Sequence, residues 1–405
     1  MALQQTADEL IPDLRRLQRP LLLAGIAGLI VSAIGGLFDP TQFFQSYLMA
    51  YMLCLGTSLG CLALGMVHQL SGGAWGVVLR RPIGAAARVL PLLTLLFLPI
   101  LLGMSRLYIW THADAVAASE TLRHKQPYLN VPFFVVRAVI YFLVWNGISY
   151  FLNALSLEQD RTGDPAIARR MQRLSAGGLV AYGLTITFAS FDWLMSITPD
   201  WYSTIFGVLI LGGQGLSAMA FLIAAIFWLS RRPPLDAIIK PDHFHDAGNL
   251  MLMFVMLWAY FSFSQYLLIW AGNLPQEISW YQHRLQTGWR AVGILLIVFH
   301  FAVPFVILLL RRVKREATDL VRLAVGILVM RLVDLFWLIA PDFHRGGISV
   351  SWLDILLPAS LAAIWLAAVV WQLRGRAILP VHDPEFDETL GPIVGQSDQR
   401  PGLAH

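Results

Sequence analysis

Phe191-Asp192-Trp193-Leu194-Met195-Ser196-Ile197-Thr198-Pro199-Asp200-Trp201-Tyr202 sets a carboxylate inside an apolar segment and closes that segment with Pro-Asp. An ionisable side chain at membrane depth is costly unless something pairs or uses it. The arrangement recurs at Asp334-Leu335-Phe336-Trp337-Leu338-Ile339-Ala340-Pro341-Asp342, again with a Pro-Asp beginning seven residues after the first Asp. Two copies point to a duplicated unit.

The surrounding chain is built for lipid. Of its 405 residues 57% are hydrophobic and 13% charged, where a soluble domain carries about 25% charged residues. This composition implies an all-α integral membrane protein. The net charge of +4 is read as a topology signal in short loops, not as a nucleic-acid footprint. Cys54 and Cys61, the two cysteines, are too few and wrongly spaced for an iron-sulfur cluster or covalent haem. They read as small packing residues.

Segments long enough to span fall at 20–38, 46–69, 83–106, 131–157, 175–198, 202–229, 247–272, 287–310, 318–340 and 350–373. Ten spans put both termini on one side. The segments on that side carry eighteen Lys and Arg residues, against five on the other: Arg106, Arg123, Lys125, Arg284 and Arg345. The positive-inside rule therefore predicts cytoplasmic termini and outward-facing Pro-Asp ends. The opening residues, with Asp8, Glu9, Asp13 and Arg15, do not read as a cleaved signal peptide. The loop 107–130 holds no spanning run and is expected along the outer surface. The polar tail at 377–405 is expected to be extended unless another subunit holds it.

The duplication extends beyond the aspartates. The third span ends Leu107-Tyr108-Ile109-Trp110 and the seventh Leu267-Leu268-Ile269-Trp270; Arg137-Ala138-Val139 near the start of the fourth matches Arg290-Ala291-Val292 in the eighth. The second and sixth spans share small residues, Gly56, Gly60, Ala63 and Gly65 against Gly212, Gly213, Gly215 and Ala218, which permit close helix approach in lipid. Each pair lies four spans apart, so the two units run parallel through the membrane. The expected architecture is two tandem four-helix bundles, spans two to five (46–198) and six to nine (199–340). A first helix with its N-terminus (1–45) and a last helix (341–376) stand outside them.

The candidate chemistry is proton handling. Asp192 and Asp334 are expected about 10 Å inside the outer ends of their helices. Arg331, three residues before Asp334, shares its helix face, whereas Asp192 needs a partner from another helix. Each carboxylate is either a proton acceptor or half of a structural ion pair. His300, mid-span, is a hydrogen-bonded core residue or a proton relay. Tyr260 and Ser264 lie four apart and could continue a hydrogen-bonded chain. Arg137 and Arg290 read first as snorkelling arginines, with pairing to the aspartates, or a place beside a quinone together with Gln265, as the alternative. His243, His245 and Asp246 read first as a solvated loop and second as a proton entrance; they lack the ligands of a closed metal site.

The ten-span pattern, the segment 191–207 reading FDWLMSITPDWYSTIFG and the run Gln265-Tyr266-Leu267-Leu268-Ile269-Trp270 resemble the NrfD-like family of polysulfide-reductase membrane subunits, most of all the smaller such subunit of bacterial alternative complex III. The resemblance implies a quinol:electron-acceptor oxidoreductase complex in a bacterial inner membrane. It implies an iron-sulfur protein and c-type cytochrome subunits as partners, together with a larger sister NrfD-like membrane subunit that oxidises quinol. This chain would then bind no redox cofactor, with quinone or menaquinone nearby and haem c and iron-sulfur clusters in partner subunits. Two alternatives stay open: the chain hosts the quinol site itself, or it is a stand-alone secondary transporter, although transporter repeats are more often inverted.

Overall fold

The computed structural model describes residues 2–232 and 235–374; Arg376 and the tail expected at 377–405 lie outside the described residues. Among the described residues there is no strand, and ten helices are long and apolar enough to cross a membrane. The chain is an all-α multi-pass membrane protein. Its spans are α1 (Pro12–Phe38), α2 (Pro40–Ser71), α3 (Trp75–Leu102), α4 (Val131–Thr162), α5 (Pro165–Ile197), α6 (Phe206–Leu229), α7 (Pro241–Gly272), α8 (Arg290–Leu309), α9 (Ala317–Asp342) and α10 (Leu353–Leu373).

Local sequence sets their ends. Asp39, Asn130 and Asp164 each accept a hydrogen bond from a backbone N–H in the first turn of α2, α4 and α5. In each case a proline in that first turn has no N–H to lose. Gly163 closes α4 and Asn273 closes α7, both in the left-handed region. Within α5 the α-helix stops at Trp193, one residue after Asp192, and a short 3-10 turn follows over Met195–Ile197. In α9 the α-helix runs on to Ile339, five residues past Asp334.

The packing follows the duplication. In the first bundle α2 packs against α3 and α5, and α4 against α5 and α3; in the second α6 packs against α7 and α9, and α8 against α7 and α9. The bundles meet along α2 and α6, the most buried spans at 78% and 83%. Small residues make that approach possible: a Cβ at Gly60 would collide with the Gln214 carbonyl oxygen. In lipid, where apolar burial gives little drive between helices, such packing does much of the holding. The last span, α10, lies on α2 and α3, and α1 covers it from outside, with only 11% of its apolar window buried.

Two polar ends result. The Pro-Asp end gathers the starts of α2, α4, α6, α8 and α10, and the short helices Ala113–Ala118, Glu120–Lys125 and Pro275–Gln286 lie there. The opposite, basic end carries Arg80, Arg81 and the short helix Arg311–Arg315.

Candidate functional site

Asp192 is 0% exposed. Arg137 of α4 grips it with both arms of its guanidinium, Nε to Oδ2 and Nη2 to Oδ1, each at 2.8 Å. Tyr141, one helical turn along α4, donates its hydroxyl to Oδ2 at 2.8 Å. The third arm of Arg137 donates to the Tyr128 carbonyl at 3.0 Å, and the guanidinium lies over the Tyr128 and Phe133 rings. Next to this ion pair, Trp193 packs among Phe97, Tyr141, Phe142 and Trp145. The carboxylate thus takes three donors, two arms of a guanidinium and one hydroxyl.

This corrects the snorkelling reading of Arg137. The fourth span starts at Val131, so Arg137 lies six residues, about 9 Å, inside it and is only 7% exposed. Arg290 is the first residue of α8 and stands exposed. The matched sequence positions therefore sit at different depths. The residue that does the pairing at this end of the second unit is Arg284, on the helix Pro275–Gln286. It is 1% exposed, binds Asp342 of the second Pro-Asp at 2.8 Å and stacks on Trp280 at 3.4 Å. His283 beside it meets the Pro341 carbonyl at 3.2 Å. In the first unit Lys125 donates to the Pro199 carbonyl at 2.5 Å, and burial holds its ammonium below the usual lysine range. Both helix ends are clamped by a cation from the preceding loop.

Asp334 is built differently. Arg331, on the same helix, pairs with its Oδ2, and Trp258 of α7 donates Nε1–H to that oxygen at 3.4 Å. Arg331 also donates to Ser217 of α6 at 3.3 Å, and its guanidinium occupies the space that Gly213 leaves by having no side chain. His300 lies beside them on α8 within a π-helical segment, Leu296–Ala302, with its ring edge-on to Trp258 at 4.3 Å between centroids. The structure thus brings together Asp334, Arg331 and His300.

Other expected residues stand apart. Tyr260 is 63% exposed on the outer face of α7, and neither its side chain nor that of Ser264 makes a hydrogen bond among the described residues. Gln265 is buried and ties loops together, accepting from Ser203 at 3.0 Å and donating to the Tyr281 hydroxyl at 3.1 Å; burial pushes that hydroxyl up to about 12. At the basic end the His243 ring accepts the Lys240 N–H at 3.0 Å and so caps α7. His245 lies 3.7 Å from Asp246.

Sequence reading missed four contributors. Tyr141 stood one turn from Arg137, the i+4 spacing that signals a shared face, and Trp258 carried no polar signal of its own. Arg284 was hidden by being counted as a loop charge. Asp354, at the start of α10, is buried and accepts from Gln42 at 2.8 Å, Ser46 at 2.6 Å and the Ser351 N–H at 2.9 Å. Its acidic residue at an apolar segment's edge was the available clue.

No family model and no curated protein sequence matches the chain.

Proposed function

We propose that the chain is a membrane subunit of a quinol:electron-acceptor oxidoreductase in a bacterial inner membrane, and that its buried carboxylate Asp334 helps move protons released by quinol oxidation. In this reading both termini are cytoplasmic, because the basic residues concentrate at that end. Electrons travel through iron-sulfur and c-type cytochrome subunits, a sister membrane subunit oxidises quinol, and this chain holds no redox cofactor.

The observation that carries the reading is a pair of buried carboxylates at matching repeat positions, each held against an arginine. A carboxylate of this kind has two stable conditions, ionised against its arginine or protonated and neutral, and exchange between them is how a proton is held and released. The second pair suits that exchange better. Its oxygen shares one arginine arm and one long indole bond, and Arg331 keeps Ser217 as a partner when the carboxylate is neutral. The first pair, with two arginine arms and a tyrosine all reaching from α4, works chiefly as a clamp.

Purification of the tagged chain from its native membrane tests the assignment. Haem c and iron-sulfur proteins travelling with it, with quinol oxidation in the preparation, are the expected result. A chain that purifies alone and moves a solute across liposomes would overturn it in favour of the transporter. Quinone held against these helices would place quinol oxidation on this chain.

A further inference from the structure

His300 is 0% exposed, and neither ring nitrogen has a hydrogen-bond partner among the described residues. A buried imidazole with both nitrogens unmet is unfavourable. What occupies its edge is the Trp258 indole, at 4.3 Å between centroids and 73° between planes. The same indole turns its N–H to Asp334 at 3.4 Å, the long limit of hydrogen bonding. Trp258 therefore stands between a base whose ring nitrogens have no partner among the described residues and a carboxylate that it binds weakly. The base rides on a π-helical turn, a winding that recurs as single turns at functional positions.

We propose that Trp258 gates proton exchange between His300 and Asp334. The proposal rests on the reading of Asp334 as a proton carrier and adds the residue that controls access to it. With the indole on the carboxylate, His300 is isolated and Asp334 stays ionised against Arg331. A proton released by quinol oxidation and taken up at His300 passes to the carboxylate when the indole swings away: the imidazolium N–H bond breaks, an O–H bond forms on Asp334, the imidazole is left neutral, and no electrons change hands. Arg331 remains hydrogen-bonded to Ser217 while Asp334 is neutral. Among the described residues Asp334 is met by Arg331 on its own helix and by Trp258 of α7; Ser217 of α6 meets Arg331, and His300 of α8 meets the far side of Trp258. Trp258 touches no reacting bond and is a positioning residue.

Infrared difference spectra of the full-length chain in lipid nanodiscs, taken across a change of pH, test this. Asp334→Asn identifies the Asp334 carboxyl band by removing it. Trp258→Phe keeps an aromatic ring and deletes the N–H; it is expected to shift that band and the pH midpoint of its appearance. His300→Phe is expected to shift the midpoint as well, and the double variant to match His300→Phe alone. If the band disappears in Asp334→Asn but neither ring variant moves it, the gate is wrong while the proton-carrier reading stands. If Asp334→Asn removes no band, the proton-carrier reading fails and the gate with it. Should Trp258→Phe not fold, Trp258→Tyr, together with His300→Phe, supplies the same comparison.

Discussion

The two repeat units hold the same carboxylate in different ways. Asp192 is gripped across helices, from α4, by two arginine arms and a tyrosine hydroxyl. Asp334 takes its arginine from its own helix three residues away, and its cross-helix contact is one long indole bond. The first arrangement staples α4 to α5 through three bonds. The second staples nothing strongly and leaves a histidine alongside with no hydrogen-bond partner among the described residues. The two repeat units thus hold one carboxylate by three cross-helix bonds and the other by looser bonding, the difference on which the proposed proton role of Asp334 rests. The outer arginine of each unit shows the same divergence: Arg137 reaches down to Asp192, whereas its counterpart Arg290 stays exposed and Arg284 pairs with Asp342 instead.

Substitutions can break or sharpen this contrast. The largest effect is expected from Arg137→Met, which strands a buried carboxylate; loss of one partner of a buried ion pair costs about 3–5 kcal/mol. Thermal unfolding of the purified chain should register it, and a near-native melting curve would contradict the clamp. Gly60→Ala comes next, because its methyl meets backbone of α6 that cannot turn aside. Overpacking of this kind costs roughly 1–3 kcal/mol, and the same melting assay reads it. Tyr141→Phe removes one bond to a charged group, about 1.5–3 kcal/mol, and a double-mutant cycle with Asp192→Asn should recover most of that as coupling. Asp334→Asn should destabilise less than Asp192→Asn in the same assay, since Arg331 retains Ser217. Tyr260→Phe is the control: it lies on an exposed face and should stay within about 0.5 kcal/mol of the wild type.

The fold was legible because lipid imposes a simple grammar. Runs of apolar residues near 20 long gave ten spans, and the paired Asp and Pro-Asp signatures of 191–202 and 334–342 gave the parallel repeat that the helix contacts display. The Arg331–Asp334 pair was visible because both residues lie on one helix at i,i+3. The partners of Asp192 were less visible, since pairing across helices depends on depth and rotation. Six extra residues at the start of α4 lowered Arg137 to the level of Asp192, and aligning it with Arg290 concealed this. Trp258 could not be found from sequence at all: an indole in an apolar span looks like packing until its N–H is seen to face a carboxylate.

The central claim, that one of two duplicated carboxylates carries protons while the other holds helices, is tested most directly by the proton-to-electron ratio of the assembled complex bearing Asp334→Asn. The account predicts a lower ratio, with quinol oxidation and subunit composition retained. An unchanged ratio in a fully assembled Asp334→Asn complex would contradict it.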